Sequence, residues 1–398
     1  MIQLSHKLAQ VKPSATIQIN AKAISLIAEG KKIIKFNIGE PDFDTPSDVK
    51  DAAIAAIMAG QTKYTHVDGT PALKEAIITK FQQDNGLSYN PQQIIVSSGA
   101  KQSLFNLFFA VLNRGDEVII PAPYWVSYPD MVRLCEGTPV IVSTTMENNL
   151  KLTPEELEAN ITAKTRLVLL NSPSNPTGTA YARKELEAIG QVLLKYPDIL
   201  IMTDDIYEHI YWAAEPFCNI VMACPELYSR TVVINGPSKA YAMTGWRIGY
   251  AAGDEAIIKG MKKCQSQSTS NPCSISQAAT VAALSGDQNI IKSRCDAFKQ
   301  RHDLIMSLMQ DTPGFECVPG DGTFYVFPNV EGAIASLADV DDDVAFADFL
   351  LEHAGVACVP GTAFGAPGFI RISYALSEED IRTAMAKIKM ALNEASYV

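Results

Sequence analysis

Seven short apolar runs, each ending at a polar cluster or a turn, constrain this chain more than any other feature. They are IIVSSG (94–99), EVIIPAP, PVIVST, RLVLLNSP, ILIMTDD, TVVINGP and WRIGYAAG. Each is short, apolar and rich in β-branched residues, so each reads as a buried strand. Helical patterns fall between them. Ser47 is placed to cap a helix running to about Gly60. Thr70-Pro71 opens another, which Asn85-Gly86 closes. AKQSLFNLFFAVLN follows the first strand directly and is apolar almost all round, as a deeply buried helix is. Further helices are expected near Tyr128 to Cys135, after Thr153-Pro154-Glu155, and over Arg183 to Lys195. Strand and helix in alternation give an α/β fold with a mostly parallel sheet.

From about Asp287 the pattern changes to a long polar helix, then short strands and helices. The chain ends in FIRISYALSEEDIRTAMAKIKMAL, which reads as strand, cap and helix. The expectation is a large domain over 46–286 and a smaller α+β domain built from 287–398 and the N-terminal 1–45. A length of 398 residues suits two domains, and 47% hydrophobic residues supply the cores.

Charge narrows the function. Lys plus Arg number 33 against 44 Asp plus Glu, a net charge of −11. A nucleic-acid binder would show a basic surface, so that class is set aside. An anionic ligand would need a local cationic pocket on an acidic body. The eight cysteines form no CxxC pair and often lie in apolar stretches, which suits reduced core thiols and the cytoplasm. The N-terminus lacks the apolar stretch of a signal peptide, and Leu104 to Leu112 is far too short to span a bilayer. No membrane partner is expected.

In open α/β sheets, ligands bind beyond the carboxyl ends of the strands. Polar residues stand at four such ends: SSGAK, NSPSNPTG, TDDIY and NGPSK. Ser98-Gly99-Ala100-Lys101 opens a helix, so its backbone N–H groups form either an anion cradle or an ordinary turn. Asp204 and Asp205 end an apolar strand, as solvated carboxylates, as caps, or as a counter-charge for a cationic ring nitrogen. Arg371 sits inside the strand FIRISYA and needs a bidentate partner, either a ligand carboxylate or an acid of the chain. Trp125 is a flat surface for an aromatic ligand or plain core. Lys239 and Arg247 lie in GPSKAYAMTGWRIGY, among small, apolar and aromatic residues. They either reach solvent or serve an anion or electrophile.

Other motifs drop out. GxxxxGK[ST], GxGxxG and GxSxG are absent. DVDDD (339–343) begins like a calcium loop, but Val344 stands where the turn glycine is needed, so a solvated acidic loop is expected. The five histidines are widely spaced and suggest no metal site.

Taken together, GEPDFDTP, KYTHVDGTPALKEAI, SSGAKQSLFNLF, PYWVSYP, NSPSNPTG, DDIYEH, SKAYAMTGWRIGY, GTFYVFP and RISYA resemble class I aminotransferases, fold-type I enzymes of pyridoxal 5'-phosphate, in the family's order. The resemblance runs through nearly the whole chain and is closest to the aspartate (aspartate/prephenate) subgroup. It implies the fold-type I architecture, with a seven-stranded sheet in the large domain. It implies that Lys239 forms the Schiff base with the cofactor, for which its amine must lose its proton near neutral pH. Arg247 and the backbone of Gly99, Ala100 and Lys101 would hold the phosphate. Asp204 would face the pyridine nitrogen, Asn175 and Tyr207 the ring oxygen, and Trp125 the ring face. Arg371, with Asn175 and the backbone at Gly39, would clamp the substrate α-carboxylate. Tyr64 would cross to a partner's phosphate in a homodimer with shared sites.

The chain departs from the pattern at Gly236, where many relatives carry a phosphate-binding serine, and Ser238 is the nearest hydroxyl to take over. Asp205 stands where glutamate is commoner. For substrate, Lys101 with Ser14 and Thr16 matches the subgroup's device for a second carboxylate. The resemblance therefore implies aspartate plus 2-oxoglutarate giving oxaloacetate plus glutamate. Prephenate transamination is the nearest alternative, and a carbon–sulfur or related lyase using the same cofactor is the next. A non-enzymatic cofactor-sensing regulator would need an added DNA-binding segment.

Overall fold

Alternation within the apolar runs builds the central sheet. The strands are β1 Ile94–Ser97, β2 Glu117–Ala122, β3 Thr138–Ser143, β4 Thr165–Asn171, β5 Leu200–Asp204, β6 Thr231–Asn235 and β7 Gly249–Ala252 in a computed structural model. It describes residues 5–11 and 15–395, with 15–17 given by their backbone alone. Successive side chains go to opposite faces. Ile94, Val96, Ile119, Val168, Leu170, Ile201 and Val233 enter one core. Ile95, Val118, Ile120, Leu167, Leu169, Met202, Val232 and Ile234 enter another. Both faces are covered, as in a parallel sheet.

The seven strands lie in the order β1-β7-β6-β5-β4-β2-β3. Only β7 runs antiparallel, between β1 and β6. β1, β4, β5 and β6 therefore point the same way, and their four polar carboxyl ends share one edge. The strand-to-helix turn after β1 is tight. Gly99 has φ +92°, and a Cβ there would collide with the Arg247 guanidinium. A Cβ on Gly249 would strike the backbone of Gly99 and Ala100.

A separate core forms around Phe36, Phe298, Phe324, Phe346, Ile372, Tyr374 and Ile388. Three short antiparallel strands cross it: β8 Tyr325–Val326, β9 Val359–Pro360 and β10 Ile370–Ser373. The long helices Asn289–Gln310 and Glu378–Ala395 pack on it, which matches the changed pattern after 287.

Helix α1 (Ala15–Ala28) precedes the sheet; α2 (Pro71–Lys80), α3 (Ala100–Val111) and α4 (Tyr128–Leu134) are laid along it. Thr70 caps α2 by accepting from the Leu73 N–H, as its sequence signals. Three local expectations fail. Ser47 is the first helical residue, not a cap, because Pro46 takes the capping position with no side-chain bond. α3 is not buried all round, since Phe109 is 59% exposed. DVDDD is not simply solvated. Asp342 caps a helix, and Asp343 is fully buried, accepting from Thr362 N at 2.7 Å and Thr362 Oγ1 at 2.8 Å. Helices Glu255–Ser266 and Ser274–Ser285 were not anticipated from the sequence.

Candidate active site

The shared carboxyl edge borders a cavity of about 550 Å³. Ala100 and Lys101 enter it after β1, Asn175 after β4, Asp204 and Tyr207 from the end of β5, and Ser238 and Lys239 after β6. Gly39, Trp125, Arg247 and Arg371 complete the expected set there, with Gly99 immediately behind Arg247. Tyr64 lies elsewhere, 93% exposed. Ser14 lies outside the described residues. Thr16 is described only as backbone in α1, from which Asn20 reaches the cavity lining.

Lys239 Nζ donates to the Gly39 carbonyl at 2.6 Å. Burial and the positive charges of Arg371 and Arg247 push the ammonium down to about 8, against the pull of Glu40 and Asp204. An amine so placed can lose its proton near neutral pH and act as nucleophile or base.

Asp204 and Asp205 are both buried, so neither is a solvated loop carboxylate. Their side chains serve different neighbours. Asp204 lines the cavity and accepts from the Tyr128 hydroxyl at 2.7 Å. Burial pushes its carboxyl up to about 6, although the Tyr128 bond favours the ionised form. A cationic nitrogen would restore the charge. Asp205 instead accepts from Thr203 Oγ1 at 2.5 Å and Asn219 Nδ2 at 2.8 Å, and does not line the cavity.

Arg371 is buried, yet no carboxylate of the described residues pairs with it. Its NH1 donates to Asn175 Oδ1 and its NH2 to the Asn37 carbonyl, both at 3.0 Å. The guanidinium lies 4.5 Å from the centre of the Tyr325 ring and 5.1 Å from that of Phe364. Its Nε has no partner, and neither has the Asn37 amide. A buried cation with spare donors is a site for an anion.

Arg247 is exposed at the cavity and sits in the left-handed region at φ +55°, donating to the Thr244 carbonyl. Lys101 Nζ lies 4.7 Å over the Trp125 ring, and burial with the Arg247 charge lowers its pKa. Neither cation is ion-paired among the described residues. Arg247 and the free N–H groups at the start of α3 make a cradle for a dianion, and the Lys101 ammonium stands beside it as a further cation.

Sequence reasoning missed three residues here. Tyr128, which supports Asp204, is just the first residue of a short helix in the sequence. Tyr325 bonds Tyr207 through their hydroxyls at 3.0 Å and underlies Arg371. It lies within GTFYVFP, a motif that gives it no role by itself. Asn37 in FNIGEP carries no motif that marks it.

The donor set fits a phosphorylated pyridine aldehyde: an amine that can be neutral, a dianion cradle too tight for a Cβ, a buried carboxylate without a cation, and a flat indole. Comparison with known proteins agrees. The family description "Aminotransferase class I and II" matches residues 31–388. The aspartate/prephenate aminotransferase of Nitrosomonas europaea is 51% identical over 397 residues, covering 98% of this chain and 100% of that one. Its counterpart in Cereibacter sphaeroides is 53% identical over 393 residues, covering 98% of each. Among solved structures, the aspartate aminotransferase of Rhizobium meliloti superposes with a TM-score of 0.96 at 46% identity, covering 99% of each chain. That of Thermus thermophilus with maleate gives 0.92 at 42%, covering 98% of this chain and 100% of that one. The chain therefore belongs to the class I and II aminotransferases, fold-type I transferases that use pyridoxal phosphate.

Proposed function

We propose that this protein transfers the amino group of L-aspartate to 2-oxoglutarate, giving oxaloacetate and L-glutamate by a ping-pong cycle, with prephenate as an alternative oxo-acid partner. The observation that carries the reading is one cavity with cations lacking carboxylate partners: Arg371, and Lys101 beside Arg247. A dicarboxylate needs two such positions. The Thermus relative was solved with maleate, a four-carbon dicarboxylate, which supports the same demand here. The relatives' names join aspartate with prephenate, and both partners carry two carboxylates.

Pyridoxal phosphate, when bound, supplies an electron sink for the pair left at the substrate Cα. The chain's residues do the rest. Lys239 is the amine that holds the aldehyde and, once released, moves the proton from the substrate Cα. Asp204, braced by Tyr128, holds a positive ring nitrogen. Asn175 and Tyr207 donate to the ring oxygen, and Trp125 covers the ring. Gly99, Ala100, Lys101, Ser238 and Arg247 hold the phosphate. Arg371 takes the α-carboxylate with Asn175 and Gly39. Lys101 takes the distal carboxylate, with Ser14 and Thr16.

A homodimer supports Tyr64's role at a partner's phosphate. Met58 at 82% exposure and Phe109 at 59% suit a covered face. Two domains, 46–286 and 287–398 with 1–45, agree with the separate cores on the sheet and around Phe298. All eight cysteines are free, which suits the cytoplasm, and no described helix is long and apolar enough to cross a membrane.

The test is a substrate panel, with aspartate, alanine, phenylalanine and the amino form of prephenate as donors and prephenate as an acceptor, run on the wild type and Lys101→Ala. Dicarboxylates are expected to lead. Lys101→Ala should cost them roughly 10–100-fold in kcat/KM and leave alanine within about threefold, as loss of one charge-assisted bond predicts. Alanine outrunning every dicarboxylate would overturn the assignment. Pyruvate and ammonia formed without any oxo acid would mark a lyase.

A further inference from the structure

Behind the cavity lies a buried polar cluster that touches none of the groups assigned to substrate or cofactor. Lys80, Asn85, Glu208 and Asn235 are each at most 6% exposed, and none lines the cavity. Glu208 is ion-paired with Lys80 from the end of α2. Lys80 Nζ also donates to Asn85 Oδ1 at 2.8 Å, and Asn85 Nδ2 donates to Glu208 Oε2 at 2.9 Å. Glu208 Oε1 accepts from Asn235 Nδ2 at 2.7 Å. Asn235 Oδ1 in turn accepts from the Gly236 N–H at 2.7 Å. Asp84 and His209 close the outer side, bonded at 3.0 Å. Asp84, Glu208 and His209 together have the makings of a cation site, but the Lys80 ammonium already lies against two of the three.

The positions of these residues in the chain matter more than their charges. Glu208 directly follows Tyr207. Asn235 ends β6 and leads through Gly236-Pro237-Ser238 to Lys239. The cluster thus ties together the two strand ends that carry Tyr207 and Lys239. The same two loops meet again where the Asp205 N–H donates to the Ile234 carbonyl at 2.9 Å. Gly236, in the Lys239 loop, lies close to Ile206 of the Tyr207 arm on one side and to Ile248 on another, since a Cβ there would lie 3.4 Å from Ile206 Cδ1 and 3.0 Å from the Ile248 carbonyl oxygen.

We propose that Glu208, anchored by Lys80 and Asn85, is a positioning residue that fixes the Lys239 loop against the Tyr207 arm through Asn235. A buried ion pair contributes little net stability compared with well-packed apolar residues. Its directed bonds do fix geometry, and proton transfer by Lys239 is sensitive to displacements near 1 Å. The inference rests on the assignment of Lys239 and Tyr207 above.

The test uses the holoenzyme of Asn235→Ala, a neutral-for-neutral change that cuts both Asn235 bonds. The readouts are kcat, KM for aspartate, the pH midpoint of the cofactor's visible absorbance, and Tm. The charges facing Lys239 are Arg371, Glu40, Arg247 and Asp204, and the substitution alters none of them. A moved midpoint therefore reports position. The expected result is a fall in kcat of about tenfold or more, with KM within about threefold. The midpoint should move by ~0.5 pH unit or more. The double variant Lys80→Met/Glu208→Leu should recover Tm while keeping the low kcat and the moved midpoint. If Asn235→Ala does not fold, Asn235→Ser, too short to reach Glu208, replaces it.

A wild-type kcat and midpoint in the Asn235 variant would overturn the proposal. So would their recovery together with Tm in the double variant, which would make the cluster merely structural. Borohydride trapping separates the two readings. Label on Lys239 with an unmoved midpoint refutes the positioning role alone, whereas label elsewhere in the wild type refutes the assignment of Lys239.

Discussion

Lys80 and Arg371 are both buried cations, at 4% and 3% exposure, and the chain treats them in opposite ways. Lys80 meets Glu208, Asp84 and the Asn85 amide, so its charge is neutralised within the chain. Among the described residues Arg371 meets only an amide oxygen, a carbonyl and two aromatic rings, and its Nε is left without a partner. Lys239, a third cation nearby, escapes the same cost by giving up its proton more readily. Burial alone therefore marks no site. A binding cation is one whose neutralising partner the chain does not supply.

Replacing the cavity's own cations tests the distinction. Lys239→Ala should have the largest effect, a loss of kcat of about 10⁴-fold or more, because both the covalent anchor and the base disappear. Residual transamination near the wild-type rate would end the reading. Arg371→Lys keeps the charge but loses the fork. It should lower kcat/KM for every amino acid by roughly 10²-fold, mono- and dicarboxylates alike. An effect confined to dicarboxylates would move Arg371 to the distal carboxylate.

Tyr128→Phe leaves Asp204 buried without its hydroxyl donor. The Asp204 carboxyl, already raised to about 6, should rise further. Activity should fall by roughly tenfold, most steeply on the acid side, as a pH–rate profile would record. An unchanged profile would show that the 2.7 Å bond is incidental.

The smallest effect concerns stability. Between pH 8 and the usual lysine value near 10.5, the unfolded chain holds a proton that folded Lys239 has already released. Stability of the cofactor-free protein therefore rises with pH across that window. Lys239→Met removes the penalty. Below pH 8 it should stabilise the cofactor-free protein by roughly 1–3 kcal/mol, and the gain should fade toward pH 10.5. Thermal melts at several pH values would show it, and a gain independent of pH would point to packing instead.

Much of this is legible in the sequence. The alternating runs announce the sheet because a parallel strand must be apolar on both faces. The polar residues just beyond β1, β4, β5 and β6 announce the site because such a sheet exposes its carboxyl ends at one edge. Other features left no local trace. Nothing in PYWVSYP says that Tyr128 reaches Asp204, 76 positions away. Asp204 and Asp205 are adjacent and identical in type, yet one faces the cavity and the other bonds Thr203 and Asn219. The alternation of a strand end separates them, but which side holds the ligand depends on what packs there.

By itself the sequence determined the α/β architecture and the edge at which polar residues collect, and it singled out Lys239, Asp204, Arg247 and Arg371, which line one cavity, since periodicity and motif are local properties of a chain. Only the tertiary structure decided which cations are neutralised internally and which are left for a ligand. Pairing is a matter of distance through space: Lys80, at the end of a helix, finds Glu208 across 128 positions, while Arg371, inside an apolar strand, finds no acid among the described residues.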